Sequence, residues 1–292
     1  MATHTIDETR CTRCGLCEMI CGCWIYDRTD EGVVVDPDSE QLCVRCGHCM
    51  AICPTQAVQV EGMDYADFPE LQPSPASPEA LEALLKRRRS TRVFREEPVP
   101  REVLEKIAEA AATAPMGFPP SEVNLTVLST REQVAKIVPA SVKQFEELQQ
   151  MTRNRLGRAA MRRMVGQRVY RMLTEHMLPF AGPGLALYHN DGTDFVTWGA
   201  PALMLFHADP DHLMGDTNCL LAATHGMLMA EALGVGNIML GIAASAVQYT
   251  LDLKRELGIP PANEVFSALA LGYAQCRFER TIRRPLKSVT WV

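Results

Sequence analysis

The chain has no stretch of ~20 uninterrupted apolar residues, so no membrane-spanning helix is expected. Its opening, MATHTIDETR, lacks a charged-then-apolar signal pattern, which predicts a cytoplasmic location. Aromatic residues are scarce, at 6%, and the three tryptophans, Trp24, Trp198 and Trp291, are isolated, so no role is assigned to them. A basic excess is missing too: the formal net charge is −6, which gives no support for nucleic-acid binding. The charge is unevenly spread. Through Glu70 there are thirteen acidic and four basic side chains, whereas the remainder carries +3. An acidic front segment on a mildly basic remainder suggests docking between the two parts, or to a redox partner. With 292 residues, 47% hydrophobic and 22% charged, the composition is that of a soluble globular protein with one small and one larger domain.

What the sequence holds in quantity is cysteine, and most of it lies between positions 11 and 53. CTRCGLCEMIC and CVRCGHCMAICP each carry four cysteines spaced x2, x2, x3: Cys11, Cys14, Cys17 and Cys21, then Cys43, Cys46, Cys49 and Cys53. This is the run in which three closely spaced thiolates hold one cubane cluster and the fourth reaches across to the other. It predicts two 4Fe–4S clusters, one on Cys11, Cys14, Cys17 and Cys53, the second on Cys43, Cys46, Cys49 and Cys21. Gly15 and Gly47 relieve the bend of the backbone around inorganic sulfide, and Pro54 fixes a turn after the last cysteine. Disulfides and zinc knuckles are the competing readings. Zinc wants four ligands at a closed tetrahedral site and explains a repeated x2-x2-x3 run poorly. The first run departs from the second: it continues Cys21-Gly22-Cys23 without a proline. Cys23 is then either a spare core cysteine or a rival to Cys21 as ligand. His48 is expected to donate to a cluster sulfur from outside the ligand set. The segment resembles a two-cluster ferredoxin domain, over residues 1–61.

After a short strand at Ala57–Val60, residues 62–79 hold Pro69, Pro73, Pro75 and Pro78 with little periodicity, and read as a semi-rigid linker or a plain tether. Residues 80–292 interleave helices with single strands, an α+β or α/β pattern. Helices are expected near Pro78–Arg87, over Arg101–Ala112, Arg131–Val138, Cys219–Leu233 and Leu251–Leu257. Strands are expected at Val123–Leu128, Ala202–Ala208 and Val265–Gly272. Lys143–Leu178 is helical in propensity, arginine-rich and interrupted at Gly157 and Gly166. It reads as a solvated or dimer-facing excursion, or as a positive surface for the acidic segment or a donor ferredoxin.

RRRSTRVF, residues 87–94, packs several guanidiniums and two hydroxyls together. Such a cluster suits a phosphate, because arginine binds phosphate oxygens bidentately and stays charged. A basic helix end favoured by the helix dipole explains it equally well. RRRSTRVF is followed by APMGFPPSEV, by ALGVGNIMLG and by GYA…RRPLKSV. Together these motifs resemble the FMN-binding nitroreductase family, from about Pro78 to Val292. The resemblance implies a central, mostly antiparallel sheet flanked by helices, bound FMN, and a homodimer with flavin at the subunit interface. It implies that Arg88, Arg89, Ser90 and Arg92 bind the FMN phosphate and ribityl chain. Met239, Leu240 and Gly241 would lie along the isoalloxazine, and Arg283 and Arg284 would return to the phosphate. The turn that in the family carries asparagine and glutamine here holds Pro115, Met116, Gly117, Phe118 and Pro119, so no ring contact is expected from it.

The expectation for function is an FMN-dependent, nitroreductase-like oxidoreductase fed through the clusters, reducing a small electron-poor acceptor of nitroaromatic or quinone type. An external donor (ferredoxin, flavodoxin or an NAD(P)H-linked reductase) is its expected partner. Reductive dehalogenation or another ring modification is an alternative, as is a non-enzymatic electron relay or redox sensor. No catalytic side chain is singled out, although His189 and His225 are candidates to approach the flavin. Glu231-Ala-Leu-Gly-Val-Gly imitates part of a dinucleotide fingerprint but lacks its third glycine. His207 and His212, with Asp209 and Asp211 between them, read as a polar loop rather than a metal site. Cys219 and Cys276, in apolar runs, are expected in the core.

Overall fold

The two cysteine runs, 32 positions apart, fold into two copies of one local structure. In the computed structural model, which describes residues 3–117 and 122–292, the chain divides into two compact units, with the main boundary in sequence between Ala76 and Ser77.

The first unit opens with strand β1 (His4–Ile6) and helix α1 (Leu16–Ile20), continues through the hairpin of β2 (Tyr26–Thr29) and β3 (Gly32–Val35), and repeats with α2 (His48–Ile52) and β4 (Val58–Val60). β1 pairs antiparallel with β4, and β2 with β3. Gly15 and Gly47 stand just before the two helices with φ of 74° and 76°, a left-handed conformation that a Cβ would penalise. Arg13, Trp24, Arg45 and Gln56 also take positive φ, at equivalent places in the two halves. Non-glycine residues hold that conformation only where the surroundings over-determine it. The core is small: Ile25, Tyr26, Met50, Val58 and Val60 are almost fully buried. Met63, Tyr65 and Phe68 pack against it, and the Tyr65 hydroxyl donates to the Val58 carbonyl at 2.7 Å. The stretch expected to be a linker from residue 62 therefore begins with an ordered turn, a 3-10 helix at Tyr65–Asp67.

The second unit starts at helix α3 (Pro78–Arg87), capped by the Ser77 hydroxyl. It continues with α4 (Arg101–Ala112), β5 (Asn124–Leu128), α5 (Arg131–Ala135), α6 (Ile137–Thr152) and α7 (Arg155–Met172). After a π-helical turn at Leu173–Met177 come α8 (Leu178–Asp191), β6 (Ala202–Ala208), α9 (Gly215–Ala232), β7 (Gly236–Met239), α10 (Gly241–Gln248), α11 (Leu251–Glu256) and β8 (Glu264–Gly272). The sheet runs β5-β6-β8-β7 and is antiparallel throughout. β6 is buried at every position, so both its faces are covered and it reads as an unbroken apolar run rather than an alternation. Burying side chains such as Leu203, Leu205 and Phe206 contributes roughly 1.5–3 kcal/mol each.

Helix α9 packs on α4 and on the sheet, and Gly226 lets it approach closely: an added Cβ would lie 3.4 Å from the Ile107 side chain. The long helical excursion breaks at Gly166, where φ is 76° and ψ 163°. At Gly157 it does not break. The boundary falls at Asn154, whose side chain accepts from the Gly157 amide at 2.7 Å and caps α7. Among the described residues no helix is long and apolar enough to cross a membrane.

Candidate functional site

Each unit holds one concentration of chemistry-bearing residues. In the first, the eight cysteines of the repeat sort into two recesses. Cys11, Cys14 and Cys17 line one, joined by Cys53 from the second half of the repeat. Cys43, Cys46 and Cys49 line the other, joined by Cys21 from the first half and also by Cys23, His4 and His48. The local cause is the helix that follows each left-handed glycine. It ends after five residues at Cys21 or Cys53, whose extended backbone turns the chain away. The Arg13 amide donates to the Cys11 sulfur at 3.4 Å, and the Arg45 amide to the Cys43 sulfur at 3.3 Å. Burial pushes the Cys17 thiol up to about 11 and raises that of Cys49. Burial acts on Cys53 in the same sense, but amides of Val58, Ala57 and Thr55 together outweigh it and hold that thiol below its ordinary value. None of the eleven cysteines is in a disulfide. Among the described residues no three His, Cys, Asp or Glu converge on the space of a single ion. Four thiols spread around a recess suit the corners of a cubane better than the point of a zinc ion.

In the second unit the arginine segment is laid against the free edge of the sheet. Ser90 forms a parallel bridge to Asn237 in β7, and the Thr91 amide donates to the Asn237 carbonyl at 2.9 Å. Three residues on, Phe94 bridges Ala274 beyond the end of β8. This brings Arg88, Arg89 and Ser90 alongside the strand that leads into Met239, Leu240 and Gly241. The Arg89 guanidinium donates from Nη1 to the Arg88 carbonyl at 2.6 Å, but its Nε and Nη2 are buried without a partner. A buried cation with two idle donors is costly unless an anion completes it. Leu240 precedes α10 with no side-chain cap, and beside Gly241 a Cβ would meet nothing within 4 Å, so there is open space at the start of that helix. Such a helix start favours negative charge. The arrangement fits a phosphate-bearing flat cofactor.

The other candidates fall differently. Arg92 is exposed and stands 6.0 Å from the centre of the Trp198 ring. Arg283 and Arg284 lie exposed in the segment 276–292, where no hydrogen bond or ion pair involves either among the described residues. Phe118 and Pro119 lie outside the described residues. The His189 ring bonds Glu146 at 2.8 Å and the His225 ring bonds Thr113 at 3.1 Å. Glu231 accepts an ion pair from Arg87 at 3.1 Å and sits in the last turn of α9, followed by β7. A helix then a strand is the reverse of the dinucleotide-binding order. His207 is buried and held between Asn263 and Thr126, at 2.9 and 3.1 Å, as a structural group. Cys219 is in the core, but Cys276 is exposed: the sheet ends at Gly272 and the chain leaves the core just after it. Asn237, wholly buried with Oδ1 unpaired, takes the Thr91 amide on its carbonyl, a role that neither residue shows in the sequence alone. A lone amide inside the apolar run GNIML was the available signal.

A model of the nitroreductase family matches residues 85–273, and a model of the 4Fe-4S binding domain matches residues 34–59, which contain the second cysteine run. Among solved structures, a nitroreductase with bound FMN from Bacteroides fragilis superposes with a TM-score of 0.56 at 19% identity, over 74% of this chain and 100% of that one. A nitroreductase with bound FMN from Desulfitobacterium hafniense gives 0.54 at 20% identity, again over 74% and 100%. An FMN-dependent nitroreductase from Clostridium difficile gives 0.53 at 15%, over the same shares. No curated protein matches. At these identities the likeness speaks for the fold: helices around an antiparallel sheet. The family model spans well over half of the sequence, and the chain belongs to the nitroreductase family, as an oxidoreductase carrying a 4Fe-4S binding domain.

Proposed function

We propose that the protein is an FMN oxidoreductase that takes electrons through two 4Fe–4S clusters and reduces a small electron-poor acceptor, of nitroaromatic or quinone type. The observation that carries the flavin reading is Arg89, whose buried guanidinium keeps two donors idle beside the edge of the sheet. A phosphate would accept from both, and in a water-poor site such charge-assisted bonds are stronger than neutral ones. Arg88, Ser90 and Arg92 extend the receptor along the ribityl chain. Met239, Leu240 and Gly241 lie along the ring, with an amide at the start of α10 available to it. Arg283 and Arg284 reach the phosphate from the C-terminal segment. The protein acts as a homodimer.

The eight cysteines hold the two clusters, with Cys53 and Cys21 crossing between halves. Bound together, clusters and flavin supply the conversion between single electrons and pairs, and the chain supplies binding, orientation and charge. The acceptor is flat because it must stack on the ring, and electron-poor because it must take electrons from it.

Anaerobic purification followed by iron, sulfide and flavin analysis tests the cofactor set, with about eight irons and one FMN expected per chain. Titration with dithionite, read in the visible spectrum, then tests the path. Flavin that stays oxidised after the iron centres are reduced would refute it. Turnover with a panel of nitro and quinone acceptors tests the reaction, and a panel with no substrate among them sinks that part.

A further inference from the structure

The two halves of the cysteine repeat close the turns after their short helices with matching bonds and differ in the residues between them. The Cys21 amide donates to Glu18 at 3.2 Å and the Cys53 amide to Met50 at 3.2 Å. The Trp24 amide then closes on the Cys21 carbonyl at 3.4 Å, as Gln56 does on Cys53 at 3.3 Å. Between these bonds the second half has Pro54-Thr55 and the first has Gly22-Cys23. Thr55 puts its hydroxyl 3.9 Å from the Cys53 sulfur, and the Ala57 amide donates to that sulfur at 3.2 Å. Proline, hydroxyl and amide hold Cys53 in place. In the first half the threonine position is a second thiol, Cys23, and it lines the same recess as Cys21, Cys43, Cys46 and Cys49. Nothing crowds Gly22: a Cβ there would meet no atom within 4 Å, so the turn joining the two thiols borders open space. No hydrogen bond from Ile25, the counterpart of Ala57, holds the Cys21 sulfur among the described residues. The recess is also marked by His4, 5% exposed, whose Nδ1 bonds the Tyr26 hydroxyl while its Nε2 is buried without a partner. The other recess has four thiols and no imidazole.

We propose that Cys23 is an alternative ligand for the corner iron that Cys21 holds, so that the second cluster has five thiols for four positions. This rests on the reading that the recess holds a cubane cluster. In the exchange the bond from iron to the Cys21 sulfur breaks and one to the Cys23 sulfur forms. The proton of the Cys23 thiol passes to the departing Cys21 thiolate. No electron moves, and the charge of the cluster and its ligands is unchanged. The first cluster has no such freedom, because a threonine hydroxyl stands where the spare thiol would be.

The test uses the full chain, purified anaerobically with its cofactors, and reads iron, sulfide and the electron paramagnetic resonance spectrum. Wild type and Cys23→Ala are expected to hold about eight irons. Cys21→Ala is expected to keep about eight, without the signal of a three-iron cluster and with an altered spectrum for one reduced centre. Cys21→Ala/Cys23→Ala and Cys53→Ala are each expected to lose a cluster or convert it to the three-iron form. A Cys21→Ala protein that does the same while wild type holds about eight overturns the proposal. Wild type with about four irons or with zinc would instead overturn the two-cluster reading. Should Cys21→Ala not accumulate, anaerobic alkylation of wild-type holoprotein decides. Label on both Cys21 and Cys23 supports exchange, and label on Cys23 alone overturns it.

Discussion

The Thr91 amide donates to the Asn237 carbonyl at 2.9 Å, and that bond ties the arginine segment to the edge strand of the sheet. Gly236, next in β7, leaves the room for it. A Cβ there would stand 2.6 Å from the Thr91 hydroxyl oxygen and 3.0 Å from the Gly272 carbonyl oxygen. Gly236→Ala is therefore expected to push Thr91 away, cost roughly 1–3 kcal/mol of stability, and lower the flavin content of the purified protein. Thermal unfolding and the flavin-to-protein absorbance ratio check both halves of the prediction.

Replacing Arg89 separates binding from stability. With Arg89→Met the proposed phosphate receptor loses its buried guanidinium, and loss of charge-assisted bonds should weaken FMN by about 10–100-fold. The flavin-free variant should melt no lower than flavin-free wild type, because the buried cation with idle donors is removed with it. Titration with FMN and unfolding of the stripped proteins give the two numbers. A variant that binds flavin as wild type does would rule out the assignment of Arg89.

Much of this was legible in residue order. The cysteine runs carry their meaning in local spacing, whereas RRRSTRVF, which a basic helix end explains as well, takes its reading only from the motifs that follow it. The strands β1, β2 and β3 were not legible, since three or four residues give too little alternation to stand out. Helix α10 was hidden for another reason: GIAASAVQ is apolar nearly all round, as a helix buried on most of its surface must be. Cys276 was misplaced because apolar neighbours look alike whether a strand continues or has just ended. Asn237 shows its importance only through a bond to Thr91, far away in sequence.

The buried chain Lys254–Asn263–His207–Thr126 makes stability depend on pH. The Lys254 ammonium donates to the Asn263 carbonyl at 2.7 Å, and the Asn263 amide faces His207 Nδ1 at 2.9 Å. Burial first, then the Lys254 charge, lowers the imidazole to about 4. Its folded value lies below its ordinary 6.5, so its stabilising contribution is complete above about 6.5 and is lost as pH falls towards 4. The full effect is roughly 3 kcal/mol. The stability gap between wild type and His207→Asn should accordingly narrow between pH 7 and pH 5. A gap that stays constant across that interval would show that the imidazole does not titrate in this way.

The homodimer has its own test. Leu81 and Leu85 are each 51% exposed on α3, and Phe278, Ile282, Leu286 and Trp291 are exposed in the segment after Cys276. Under the proposed dimer, these large apolar side chains are the ones a second copy of the chain would cover. Ending the protein at Gln275 should convert a dimer to a monomer by light scattering and lower flavin retention, since Arg283 and Arg284 go with the segment. Full-length protein that is monomeric at micromolar concentration would refute the dimer.

The crossing of Cys21 and Cys53 bears on how the first unit comes into being. While the chain is still growing, the earlier recess waits for a thiol that is made more than thirty residues after its third. Neither half of the repeat lines a whole recess alone, so under the two-cluster proposal loading with iron waits for the second run: the recess of Cys21 is complete at Cys49, and the other only at Cys53. A fragment stopped before Cys53 would present only three sulfurs to the first recess, while the second would already have its four.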